Sequence, residues 1–191
     1  MIRMAKRLVL LHGWGADAND LRPLGDSLAQ QLSTLEVMAL DAPQLQPQPP
    51  GRQWYPLFPA DWAAVPGAVQ QLEKRLIQLV SPKAPLEQTV LFGFSQGGAM
   101  ALHCGCNLPL AGVISCSGYP HPGWEPPSNH PPVLLMHGHD DAVVPSAAMQ
   151  SIQDQLNPEQ CTGLTFNNGH TIPSEMVRPM LDFLRRVLPS D

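Results

Sequence analysis

The sequence predicts an α/β fold: a mainly parallel sheet of about six strands, covered by helices on both faces. Three observations predict it. Short continuous apolar runs such as Leu8 to Leu11 and Val133 to Met136 recur along the chain, as in strands buried on both sides. Between them lie stretches with leucines at helical spacing. Glycine, proline, Asn and Asp punctuate the joins. No repeat at a fixed period appears, and the 191 residues fit a single domain with a sizeable core, taken as 1–191.

Lys6 to Leu11 reads as the first strand and ends in His12-Gly13-Trp14-Gly15-Ala16-Asp17. Asn19 or Asp20 is placed to cap a helix running to about Leu32, with Leu21, Leu24, Leu28 and Leu32 on one face. Leu35 to Leu40 is the second strand. A proline-rich loop, Ala42 to Gly51, follows and runs on through Trp54, Tyr55, Leu57 and Phe58. A helix is expected from about Asp61 to Val80, with Pro66 in its first turn. Thr89 to Phe92 is the next strand and Ala99 to Cys104 opens the next helix, which Pro109 ends. Leu110 to Cys116 and Val133 to Gly138 are strands, separated by a second proline-rich loop, Tyr119 to Pro132. A helix from Pro145 to about Leu156, a strand from Thr162 to Phe166, and a last helix opened by Pro173 complete the chain. Met176, Met180, Leu181, Leu184 and Leu188 give that last helix its core face.

The chemistry is concentrated in Gly93-Phe94-Ser95-Gln96-Gly97-Gly98. A G-x-S-x-G between a buried strand and a helix is the pattern of a nucleophile elbow. The sharp turn lifts the serine hydroxyl off the sheet edge, and the flanking glycines lack the Cβ atoms that would collide. A serine needs a base, and the base needs an acid to hold its tautomer. Of the seven histidines, His170 directly follows the last strand, at the sheet edge where the elbow lies. His12 and His137 stand between a strand and a glycine and are read as loop braces. Asp140 and Asp141, after the fifth strand, are both candidates for the acid. Two N–H donors are needed for a developing oxyanion. The backbone of Gln96 supplies one, and Trp14 in the loop after the first strand is the best position for the other.

Composition excludes other classes. The net charge of −5, with 11 Lys and Arg, disfavours nucleic acid and anionic membrane surfaces as partners. No apolar run approaches a membrane span, and the run after the basic start is too short for a signal peptide. The four cysteines have neither zinc nor redox spacing and read as free thiols of a cytoplasmic protein. His137-x-His139-Asp140-Asp141 could suggest a metal site, but no second ligand cluster accompanies it, so neither metal nor other cofactor is expected.

The set LHGWGAD, GFSQGG, HGHDDAVVP and NNGH resembles the phospholipase/carboxylesterase family of α/β-hydrolases, which includes acyl-protein thioesterases. The resemblance covers nearly the whole chain and implies a compact α/β-hydrolase fold. Matching the family's H-G-x-x-D-x-x-V-P places the acid on Asp141, giving Ser95, Asp141 and His170 as catalytic residues. It implies a serine hydrolase acting on a carboxylic ester or thioester of small or acyl substrates through an acyl-enzyme. A lactone- or peptide-type hydrolase and a non-catalytic binding protein on the same scaffold are the alternatives. If rim aromatics face the cleft, Trp54, Tyr55, Leu57 and Tyr119 bind substrate in an apolar pocket. The partner expected is a small-molecule ester or thioester, with a homodimer left open. Departures from the family pattern include Ala16 before Asp17 in the first loop and the short, proline-rich segments between strands, the segments by which the resemblance implies that substrate is chosen.

Overall fold

A computed structural model of the protein describes residues 4–46 and 51–188. The first residues of the basic start and residues 47–50 of the first proline-rich loop lie outside the described residues. In chain order the elements are β1 (Lys6–Leu11), α1 (Arg22–Gln31), β2 (Leu35–Leu40), β3 (Gln44–Leu45) and β4 (Arg52–Gln53). Then follow α2 (Val65–Gln78), β5 (Thr89–Phe94), α3 (Gln96–Gly105), β6 (Gly112–Cys116), β7 (Val133–Gly138), α4 (Ala147–Gln153), β8 (Cys161–Phe166) and α5 (Val177–Val187).

Six strands form one sheet in the order β2-β1-β5-β6-β7-β8, and every pairing in it is parallel. Strand residues alternate between two cores. Val9, Leu11 and Leu91 pack with Leu72, Leu76, Met100, Leu102 and Ile152, so α2, α3 and α4 cover one face. Leu8, Leu10 and Phe92 pack with Leu28, Met180, Leu181 and Leu184, so α1 and α5 cover the other. Burial on both faces is why these strands read as continuous apolar runs. The strand order reverses between β1 and β5, and a crevice opens at the carboxyl ends beside such a switch point.

Most boundaries agree with the sequence reading, and the differences have local causes. The cap of α1 is Leu21, with no side-chain hydrogen bond, rather than Asn19 or Asp20; those residues form backbone turns, and Pro23 stands in the helix's first turn. The helix expected from Asp61 begins as a 3₁₀ turn, Trp62–Ala64, capped by the Asp61 carboxylate, and becomes α-helical at Val65. The short antiparallel pair β3–β4 inside the first proline-rich loop has no periodicity long enough to be read in advance.

Candidate active site

Ser95 follows the last residue of β5 and caps α3. Its backbone has φ 55° and ψ −118°, a left-handed conformation that side chains rarely adopt. Two bonds hold it there: Ser95 N–H donates to the Cys116 carbonyl at 2.9 Å, and Ala99 N–H donates to the Ser95 carbonyl at 3.0 Å. The crowding expected of an elbow is present. A Cβ on Gly93 would overlap the Gly97 carbonyl, and one on Gly97 would overlap the carbonyls of Leu11 and His12. The glycines therefore let α3 press onto β1 and β5, which aims Ser95 into the crevice.

β7 and β8 are neighbours, so the loops after them meet. His170 Nε2 lies 2.9 Å from Ser95 Oγ. His170 Nδ1 lies 2.7 Å from Asp141 Oδ2. The other carboxylate oxygen, Oδ1, accepts the N–H groups of Val143 at 2.9 Å and Val144 at 2.8 Å. The Asp141 side chain is wholly buried and that of His170 is 18% exposed. Burial alone would raise the Asp141 carboxyl; the hydrogen bonds from His170 and from the two amides outweigh it and hold the group below its ordinary value. Since an ionised Asp141 only accepts, His170 carries its proton on Nδ1. In the neutral imidazole Nε2 is then the acceptor for the Ser95 hydroxyl. Phe94 packs against the imidazole with ring centroids 4.8 Å apart.

The geometry separates the two aspartates. Asp140 is exposed and meets the His170 loop through its backbone, its N–H donating to the Asn168 carbonyl at 3.1 Å. The first amide of α3, that of Gln96, has no intrahelical acceptor by its position. Trp14 lies in the loop after β1, and its indole N–H donates to Gln53 Oε1 at 3.0 Å.

A family model described as Phospholipase/Carboxylesterase matches residues 3–188. The chain belongs to the phospholipase/carboxylesterase family. Its architecture is therefore the α/β-hydrolase fold, and family membership makes it a hydrolase of the carboxylesterase and thioesterase type. It is 26% identical over 217 residues to acyl-protein thioesterase 1 of Neurospora crassa, covering 93% of this chain and 82% of that one. A match to acyl-protein thioesterase 1 of Gibberella zeae is 31% identical over 121 residues, but takes in 54% of this chain and only 49% of that protein's length. Among solved structures, esterase PE8 superposes with a TM-score of 0.87 at 30% identity, covering 97% of this chain and 94% of that one.

Within this family member, a cleft of about 390 Å³ adjoins Ser95 and His170, a size suited to a small substrate. Its walls are Trp14, Leu57, Phe58, Tyr119, Val143, Val144, Pro145 and Ala148. Of the four aromatic or apolar residues expected to touch substrate, Leu57 and Tyr119 line the cleft, whereas Trp54 and Tyr55 lie beneath it. Trp54 is 1% exposed; its indole N–H donates to the His12 carbonyl at 2.9 Å, which anchors the loop. Tyr55 is fully buried.

His12 and His137 act as braces. His12 Nδ1 donates to the Gly13 carbonyl at 2.7 Å while its Nε2 accepts the Ala42 N–H at 3.0 Å. His137 Nε2 donates to the Val144 carbonyl at 2.8 Å, which fixes the turn carrying Asp141. His137 and Asp141 are buried and 3.5 Å apart, while His139 and Asp140 are exposed, so the four residues of the segment that resembles a metal motif do not share one site.

One contribution was not read from the sequence. The Gln96 side chain spans the crevice floor, its Nε2 donating to the Tyr55 carbonyl at 2.8 Å and its Oε1 accepting the Trp54 N–H at 3.0 Å. A glutamine directly after an elbow serine is the signal that could have found it, since such a residue starts a helix with its side chain against the neighbouring loop.

Proposed function

We propose that the protein hydrolyses carboxylic esters or thioesters through Ser95 as nucleophile, His170 as base and Asp141 as the acid that orients it. The hydrogen-bonded line from Ser95 Oγ through His170 to the buried Asp141 carboxylate carries this reading. His170 Nε2 takes the Ser95 proton as Oγ attacks the carbonyl carbon. The oxyanion is held by the backbone N–H groups of Trp14 and Gln96, the second reinforced by the positive end of α3. His170 then protonates the leaving alcohol or thiol, and water hydrolyses the acyl-enzyme by the reverse sequence. Asp141 stays ionised throughout and stabilises the imidazolium.

The apolar walls around Ser95 suit the acyl arm of the substrate. Among the described residues no Lys or Arg lines the cleft, and the Arg52 guanidinium donates to the Ala42 carbonyl at 2.9 Å. The relatives' names include both esterase and acyl-protein thioesterase, and the same attack serves both bonds. Four free cysteines fit a cytoplasmic setting; among the described residues no helix is long and apolar enough to cross a membrane.

The test is labelling with an alkyl fluorophosphonate, followed by peptide mapping. Stoichiometric modification at Ser95, with parallel loss of p-nitrophenyl ester hydrolysis, is expected. An intact, folded protein that hydrolyses esters while Ser95 stays unmodified would overturn the assignment.

A further inference from the structure

A second hydrogen-bonded line runs into the cleft and has no part in the chemistry above. His103 Nδ1 on α3 lies 2.9 Å from His121 Nδ1 in the second proline-rich loop. His121 Nε2 lies 2.9 Å from the Tyr55 hydroxyl in the first loop. That hydroxyl lies 2.7 Å from the hydroxyl of Tyr119, which lines the cleft. Tyr55 and His121 are buried, and Trp62 packs across Tyr55, Tyr119 and His121 with ring centroids 6.1–6.5 Å away. Loop anchoring alone would be served by apolar side chains; four linked polar groups in a low-dielectric setting are costly unless each is satisfied.

Burial pushes His121 down to about 3 and lowers His103 as well, so both imidazoles are neutral at neutral pH. Burial likewise pushes the Tyr119 phenol up to about 12, which keeps it protonated. Two neutral imidazoles sharing Nδ1 with Nδ1 permit two proton arrangements. In the first, His121 Nδ1 donates to His103, Tyr55 donates to His121 Nε2, and Tyr119 donates to Tyr55. Tyr119 then offers the cleft only lone pairs. In the second, His103 donates to His121, His121 Nε2 donates to Tyr55, and Tyr55 donates to Tyr119. Tyr119 then has its O–H free for the cleft. Both arrangements hold four protons and satisfy all three hydrogen bonds of the line.

The other polar side chains of the cleft are occupied: the Trp14 indole N–H by Gln53, and Ser95 and His170 by each other. Among the described residues lining the cleft, Tyr119 is therefore the one whose polar side-chain group can still take a further hydrogen bond. We infer that Tyr119 is a specificity-determining residue which reads a hydroxyl or oxo group on the acyl arm, with Tyr55, His121 and His103 positioning it as donor or acceptor. The preferred substrates are then esters or thioesters of oxygenated acyl groups rather than plain saturated chains. This rests on the hydrolase reading above, with the acyl arm in this cleft.

The test compares kcat/KM for p-nitrophenyl hexanoate with that for the same ester bearing a hydroxyl or an oxo group on successive carbons beyond the second. The full chain is used as wild type, Tyr119→Phe and Tyr55→Phe. Wild type is expected to favour an oxygenated ester at one position by about tenfold, chiefly in KM, the scale of one well-placed hydrogen bond. Y119F abolishes that ratio. Y55F, which alters a ring beneath the cleft, lowers the ratio as well, a change that a purely structural role for Tyr55 would not produce. Thermal unfolding and fluorophosphonate labelling of each variant show that fold and Ser95 reactivity persist. A wild type indifferent to oxygenation at every position would overturn the inference, as would a Y119F ratio equal to that of wild type. Failure of Ser95 to label in the wild type would instead overturn the hydrolase reading.

Discussion

Asp141→Asn is the sharpest perturbation of the proposed chemistry because the surroundings dictate how the new amide must sit. Oδ1 accepts two backbone N–H groups at 2.9 and 2.8 Å, so the carbonyl oxygen of the introduced amide keeps that side. Turning the NH₂ toward Val143 and Val144 would leave two buried amide donors without acceptors, at about 1–3 kcal/mol each. The NH₂ therefore takes the place of Oδ2, 2.7 Å from His170 Nδ1. It can only donate, so Nδ1 must become the acceptor and the imidazole proton moves to Nε2. That proton then points at Ser95 Oγ, where a lone pair is required. The expected loss is about 10⁴-fold in kcat, roughly 5 kcal/mol of barrier, for an intact site with the wrong tautomer. Steady-state hydrolysis of a p-nitrophenyl ester measures it, with thermal unfolding to show that the variant folds. Asp140→Asn, exposed and joined to the His170 loop by backbone alone, should lose less than about threefold. A D141N enzyme within tenfold of wild type, or a D140N enzyme as damaged as D141N, would refute the reasoning.

Other outcomes follow from the same contacts. Because the Asp141 carboxyl is held below its ordinary 3.8, its stabilising contribution is complete above that value and disappears as pH falls through the depressed one. The Tm gap between wild type and D141N should therefore narrow only below about pH 4, as followed by circular dichroism. Gly97→Ala drives a methyl group into the carbonyls of Leu11 and His12, so urea unfolding should show a loss of about 2–3 kcal/mol together with loss of activity. Trp54→Phe strands the buried His12 carbonyl and should cost about 1–3 kcal/mol in the same assay, with ester chain-length preference unchanged. Ala148→Phe, on the cleft wall, should do the opposite: little change in stability and a shorter preferred acyl chain across a p-nitrophenyl ester series. Burial pushes Cys106 and Cys116 up to about 12 and Cys161 to about 11, so Ellman's reagent should react slowly with the native protein and quickly after unfolding.

The sheet was legible because burial on both faces leaves an unbroken apolar run, and β1, β2 and β7 lie at the expected residues. Ser95 was legible for a backbone reason: only glycine fits where the elbow brings α3 against β1 and β5, so Gly93 and Gly97 mark the turn in the sequence itself. The position of His170 after the last strand and beside Ser95 was legible, whereas the proposed acid, Asp141, needed the family pattern to be told from Asp140. What escaped were contacts between loops. Trp54, Tyr55, Leu57 and Tyr119 have similar composition, and nothing local to them says which ring turns down and which lines the cleft. That choice is made by partners far along the chain: the His12 carbonyl for Trp54, and His121 for Tyr55.

The segment that continues the first proline-rich loop shares one buried structure with the second. The Gln96 side chain, on the first residue of the elbow helix, holds the backbone of the first loop at Trp54 and Tyr55. The Tyr55 hydroxyl in turn holds the second loop through His121 and Tyr119. The residue whose amide is proposed to stabilise the oxyanion thus also ties down, through its side chain, the wall proposed to choose the substrate. Prolines such as Pro120, Pro126 and Pro131 reduce the entropy lost in fixing the second loop. Changes to the Gln96 side chain should therefore move KM across substrates as well as kcat. A change confined to kcat would separate the elbow from the rim and show that the loops hold their shape without it.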